Sequence, residues 1–213
     1  MDVSRFKKLP ILGILRCSGS APIEELVEAI VSSGLETIEI TMNSDSAGSL
    51  IERSVRAAKG RLMIGAGTVL NMNTLKLALD AGATFIVSPT LVKDVTEYCV
   101  KRAIPVFPGA LTPQEIYDAW RSGATMVKVF PAAMFGPSYI KEIKAPFNDI
   151  ELLACGGVTL ENIKAYFAAG AGAVAFGGSI FKKSSLDKRE FALIERLIRD
   201  LIASSKVSPG LIV

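Results

Sequence analysis

The chain has 213 residues, 50% of them hydrophobic, with 24 lysines and arginines against 21 aspartates and glutamates, a formal net charge of +3. So small an imbalance creates no strong field, and with no basic tract interleaved with aromatics, nucleic acid is not an expected partner. The longest apolar runs are strand-sized, well short of the roughly 20 residues that span a bilayer, and the opening MDVSRFKKLP has no signal-peptide core, so the expectation is a soluble cytoplasmic protein without a membrane partner.

In chain order, strands are predicted at residues 10–16, 37–41, 62–68, 85–88, 105–107, 126–130, 150–154 and 173–176. Helical patterns such as PIEELVEAIVSS, NTLKLALDAG, LVKDVTEYCVKRA and PQEIYDAWRSG lie between them. Many of these helices run into a glycine, at Gly34, Gly60, Gly82, Gly123 and Gly170, where a left-handed cap is expected. Alternation of β and α from end to end implies right-handed βαβ units on a parallel sheet. Eight units point to a compact (β/α)₈ TIM barrel, read as a single domain over residues 1–213 and somewhat shorter than the ~250 residues usual for that fold. A doubly wound open sheet is the runner-up, but no G-x-G-x-x-G follows the first strand; GAGTV at 65–69 is too short and lies on the third. A last helix is predicted over 187–204, and the tail KVSPGLIV has no derived placement.

Three cysteines, Cys17, Cys99 and Cys155, are far apart and lack C-x-x-C spacing, so neither a disulfide framework nor a thiolate metal site is suggested. There is no histidine, which removes Ser-His and Cys-His nucleophiles together with the commonest zinc ligand. Chemistry here falls to lysine, carboxylates, hydroxyls or backbone.

Strand parity says where such groups point. In the sixth strand Val127 and Val129 suit the helices, which turns Met126, Lys128 and Phe130 inward; in the second, Ile38 and Ile40 suit the helices and Glu39 and Thr41 turn inward. A lysine and a glutamate then share the barrel interior, as a structural ion pair or as reactive groups. An ordinary lysine is neutral in only about 0.04% of molecules at pH 7, and lowering its pKa to about 7 takes roughly 4–5 kcal/mol. Desolvation beside a second cation works in that direction. Arg16 shares the phase of Leu12 and Ile14 at the end of the first strand and is the candidate cation, though parity alone leaves its direction open.

The blocks LGILRC, ETIEITMN, IGAGTVL, ATFIVSP, PVFPGALTPQEI, MVKVFPAAMFGPSYIK, CGGVTLENI and FGGS follow one another in an order and spacing that resembles the 2-keto-3-deoxy-6-phosphogluconate / 4-hydroxy-2-oxoglutarate aldolase family. The likeness covers about residues 9–182. It implies a class I aldolase on a (β/α)₈ barrel, usually a homotrimer, with neither metal nor other cofactor and with a phosphorylated keto acid and pyruvate as small-molecule partners. By the same resemblance Lys128 corresponds to the Schiff-base lysine and Glu39 to the acid/base glutamate. Thr68 matches a position that holds the pyruvate carboxylate, and Pro89 and Phe130 line the same pocket.

Gly156 and Gly157 precede a helix expected to begin near Thr159, and Gly178 and Ser179 follow the eighth strand. Barrels often bind phosphate at these two loops, where glycine lets backbone N–H groups approach an anion; the alternative is turns that need positive φ. The family pattern is broken at two places. Cys155 stands where many members have threonine and members acting on the galactonate epimer have an apolar residue, and it is read as a pocket wall. Asn43 stands where some members use arginine, so Arg16 is the substitute cation. The expected reaction is cleavage of 2-keto-3-deoxy-6-phosphogluconate to pyruvate and glyceraldehyde 3-phosphate, with 4-hydroxy-2-oxoglutarate or the galactonate epimer as related substrates. A phosphosugar isomerase or epimerase using Glu39 as base, or a non-catalytic phosphosugar-binding barrel, is the competing reading, which the fold does not exclude.

Overall fold

The computed structural model describes residues 1–205, and the tail whose placement was left open lies outside them. Among the described residues nine strands form one parallel sheet: β1 Ile11–Leu15, β2 Thr37–Thr41, β3 Met63–Gly67, β4 Ile86–Val87, β5 Val106–Phe107, β6 Gly109–Ala110, β7 Val127–Val129, β8 Leu152–Cys155 and β9 Ala173–Phe176. Their spatial order is β5-β4-β3-β2-β1-β9-β8-β7-β6, so the two strands at the ends of the series are β5 and β6, neighbours in the chain. The predicted strand at 105–107 corresponds to β5 alone; β6 was not foreseen and follows beyond Pro108, which has no N–H for the ladder. The Pro108 carbonyl still accepts from Lys128 N–H at 2.9 Å, and the sheet thereby wraps into a nearly closed barrel.

Helices α2 Ile23–Ser32, α3 Ala47–Ala58, α4 Met72–Asp80, α5 Lys93–Lys101, α6 Pro113–Arg121, α7 Gly136–Lys144 and α8 Ile163–Ala168 alternate with the strands. All five glycines predicted to end helices have positive φ. The N-termini are fixed locally as well. At α6 the Thr112 hydroxyl accepts from Glu115 N–H while the Glu115 carboxylate accepts from Thr112 N–H at 2.8 Å, a reciprocal cap of the kind whose loss costs about 1 kcal/mol.

Parity sorts the apolar side chains into two cores. Ile38, Ile40, Val127 and Val129 join helix residues such as Leu26, Ile30 and Ile116 in the layer outside the sheet. Leu12, Met63, Phe85, Phe107, Met126 and Leu153 fill the barrel itself. A short helix not foreseen from the sequence, α1 Val3–Lys8, sends Phe6 into that interior core, with its ring edge-on to Phe107 at 6.0 Å. Six residues are too few for a readable helical period, and Asp2, which accepts from Arg5 N–H at 3.0 Å, supplies the cap. The predicted last helix, 187–204, starts later than expected, as α10 Phe191–Ser205; the unforeseen α9 Lys183–Asp187 precedes it, with Arg189 at φ 54 between them. Among the described residues no helix is long and apolar enough to cross a membrane.

Candidate active site

The inward positions at the middle of β2 and β7 bring the two predicted ionisable groups together inside the barrel. Lys128 is 6% exposed and Glu39 1% exposed, and the Lys128 Nζ lies 4.0 Å from Glu39 Oε1. That separation allows strong Coulomb attraction but is too long for a direct hydrogen bond. Among the described residues Glu39 Oε2 is buried without a hydrogen-bond partner, an unsatisfied acceptor inside the barrel. Room for that carboxylate depends on Gly67 at the end of β3. A Cβ there would stand 2.6 Å from Glu39 Cδ, so no side chain larger than hydrogen fits without moving Glu39.

Burial pushes the Glu39 carboxyl above its ordinary range, with Lys128 and then Arg16 opposing. For Lys128, burial acts downward and Arg16 adds to it, but Glu39 and Cys155 act upward and the net direction is up. This corrects the expectation of a depressed lysine: parity revealed the desolvation and the second cation, but not how closely a carboxylate and a thiol approach. The ligand-free pair therefore rests with its proton on nitrogen, while burial of Glu39 makes the carboxyl a ready acceptor. Moving the proton from Lys128 to Glu39 leaves two neutral groups and no buried charge.

Cys155 lies in β8, not beyond it as predicted, and its side chain is buried inside the barrel. Burial pushes its thiol up to about 11, so it is a neutral neighbour of Lys128 at physiological pH. Phe130, directly after β7 and 39% exposed, places its ring centroid 5.3 Å from Lys128 Nζ, within cation–π range. Phe130 and Pro89 line a small cavity of about 180 Å³ with Gly109, which is the register partner of Lys128 in the sheet.

Arg16 is exposed just past β1 and lines a larger cavity of about 670 Å³ with Asn43, Gly177, Gly178 and Lys183. Ile14, whose side chain packs against the interior core, joins that cavity to the barrel mouth. Thr68, Gly156, Gly157 and Ser179 line neither cavity. Thr68 follows β3 with φ 57, a left-handed conformation that is strained for a β-branched residue and that holds it at the strand end. Gly156 and Gly157 have φ 99 and 74, and a Cβ on Gly157 would stand 2.5 Å from that of Ala133. Their loop thus needs glycine for both conformation and space.

Sequence reasoning missed Asn162, which fastens this loop by donating from Nδ2 to Gly157 O and accepting at Oδ1 from Thr159 N–H, each at 2.8 Å. The helix proper, α8, begins at Ile163, later than the expected start near Thr159, because Asn162 and the Thr159 carbonyl first close a turn. Ser179 donates its hydroxyl to Val158 O at 2.9 Å, tying the two glycine loops together. Among the described residues no three histidine, cysteine, aspartate or glutamate side chains form a group that could hold a metal ion.

The sequence matches the aldolase family described as KDPG and KHG aldolase over residues 3–197. It is 36% identical over 178 residues to the 2-dehydro-3-deoxy-6-phosphogalactonate aldolase of Escherichia coli, covering 82% of this chain and 86% of that one. It is 32% identical over 194 residues to the 2-dehydro-3-deoxy-phosphogluconate aldolase of Pseudomonas aeruginosa, covering 90% and 87%. A solved structure described as native KDPGal superposes with a TM-score of 0.84 at 32% identity, over 92% of this chain and 94% of that one.

Proposed function

The chain belongs to the KDPG and KHG aldolase family, whose members are carbon–carbon lyases, and we propose that it cleaves 2-keto-3-deoxy-6-phosphogluconate to pyruvate and glyceraldehyde 3-phosphate through an imine on Lys128. The observation that carries this reading is the buried Lys128–Glu39 pair at 4.0 Å on the inner wall of the barrel. A proton passes from Lys128 to Glu39, directed through a bridging water or the substrate keto oxygen, because the two side chains do not touch. The neutral amine adds to C2 of the keto acid to give a carbinolamine, which loses water and leaves a protonated imine. Glu39, again a carboxylate, takes the proton of the C4 hydroxyl. The C3–C4 bond breaks, its electron pair flows into the iminium, and the aldehyde departs. The remaining enamine takes a proton at C3, and water releases pyruvate and the lysine.

Around this step Thr68 and the backbone after β3 would hold the substrate's C1 carboxylate, while Pro89, Phe130 and Cys155 would form the wall. The loops of Gly156–Gly157 and Gly178–Ser179 would take the phosphate through backbone N–H groups, with Arg16 supplying charge. The relatives of 36% and 32% identity act on epimeric substrates by name, so identity does not choose between them. Comparison of kcat/KM for the gluconate aldol, its galactonate epimer and 4-hydroxy-2-oxoglutarate decides, because discrimination lies in that ratio. The gluconate aldol is expected to be highest; no pyruvate release from any of the three overturns the reading.

A homotrimer and a cytoplasmic location belong to the same proposal. Three free cysteines suit a reducing compartment. Met134 and Phe135, adjacent and 69% and 55% exposed, form an apolar surface that suits a partner subunit. A designed cage built by fusing symmetric oligomeric domains contains a chain 32% identical to this one. A solution mass of three chains supports the trimer, and a mass of one chain contradicts it.

A further inference from the structure

The chain leaving β1 forms one wall of the larger cavity through Arg16, Ser18, Ser20 and Pro22. It has no strand or helix of its own until α2 begins, so its shape depends on what grips it. The grip comes from α3. Arg53 donates from Nε and Nη2 to the two carboxylate oxygens of Glu24, at 2.8 and 2.7 Å, from Nη1 to Gly19 O at 3.2 Å, and from Nη2 to Ala21 O at 3.2 Å. One planar guanidinium thus fixes two backbone carbonyls and the first turn of α2 in a single arrangement, a task that suits its rigid fork of donors. On the other side, a Cβ on Gly19 would stand 2.9 Å from that of Ser46, so the loop rests directly on the turn that carries Asn43 and Asp45 of the same cavity. Arg53 itself does not line the cavity.

Arg16 opens this loop and lines the larger cavity, which neither Lys128 nor Glu39 lines. The anionic far end of a phosphorylated aldol would meet this wall, whereas pyruvate, which has no far end, would not. We propose that Arg53 is a positioning residue: by fixing the loop that carries Arg16 it sets the affinity for the phosphorylated end of the substrate and leaves imine formation unchanged. This role rests on the imine reading given under Proposed function.

The test uses the full chain and two variants, Arg53→Lys and Arg53→Ala. KM and kcat are measured with 2-keto-3-deoxy-6-phosphogluconate, and the rate of borohydride trapping is measured with pyruvate. Both variants are expected to raise KM about tenfold with kcat within about twofold, the signature of lost uniform binding, while pyruvate is trapped at the wild-type rate. Lysine does not rescue, because one ammonium cannot reproduce the fork. Unchanged KM in both variants, with the wild-type chain trapping pyruvate, would overturn the positioning role alone. So would a parallel fall of trapping, kcat and Tm, which marks general loosening. Failure of the wild-type chain to trap pyruvate would overturn the imine reading and this role with it.

Discussion

Lys128 and Glu39 are both taken out of water, and each is tolerable there because the other is present. Breaking such a buried pair from one side typically costs about 3–5 kcal/mol, since the survivor keeps its desolvation and loses its partner. The cost has a predictable pH dependence. Burial already raises the Glu39 carboxyl and Lys128 is the main influence opposing it, so Lys128→Met raises it further. A carboxyl with a folded pKa above its unfolded value of about 4.3 contributes full stability below that value and loses it as pH rises through the folded pKa. The stability gap between wild type and Lys128→Met, read from urea unfolding, is therefore expected to widen from pH 5 to pH 8; a gap independent of pH contradicts this. At this scale the two charges were legible because each interrupts an apolar strand in the inward phase. The contributions of Gly67, Asn162 and the Cys155 thiol were not, because they depend on distances across the barrel. The direction of the Lys128 shift was misread for the same reason.

Among elements, the strands were the most legible, since their two-residue period separates the side chains that face the helices from those inside. Thr37–Thr41 and Ala173–Phe176 match the predicted spans, and the shift of the seventh predicted strand from 150–154 to Leu152–Cys155 matters because it brings Cys155 into the interior core. Beyond the predicted strand at 105–107, the two residues Gly109–Ala110 form a further strand too short for a readable alternation. Helix α1 escaped notice, yet Phe6 is 1% exposed and packs inside the barrel, a place where truncation of a phenylalanine typically costs about 3–5 kcal/mol. Short elements of this kind are stabilised by the cavity they fill and not by their own periodicity. Loops follow the same logic: the turn through Thr159 and Asn162 is held by side-chain hydrogen bonds, which shorten α8 from the helix that CGGVTLENI suggested.

For the whole molecule, alternation of strands and helices was sufficient to derive a parallel sheet with right-handed crossovers, and eight units without a G-x-G-x-x-G after the first strand favoured the barrel over an open sheet. Closure itself was not visible in the sequence, since it depends on β5 and β6 sharing one strand position around Pro108. The barrel puts ends of β1, β2, β3, β7, β8 and β9 around one mouth, so that residues from separate strands, such as Arg16, Glu39, Lys128 and Cys155, act on one another. The same geometry separates Lys128 and Glu39 from the larger cavity, which would receive the distal part of a substrate. The proposed covalent imine on Lys128 is tested most directly by mass analysis of the intact and digested chain after borohydride reduction in the presence of pyruvate. The mass gain of one reduced pyruvate is expected on Lys128 and none when Lys128 is replaced by methionine; a folded wild-type chain that gains no mass, or gains it on another lysine, would overturn the imine.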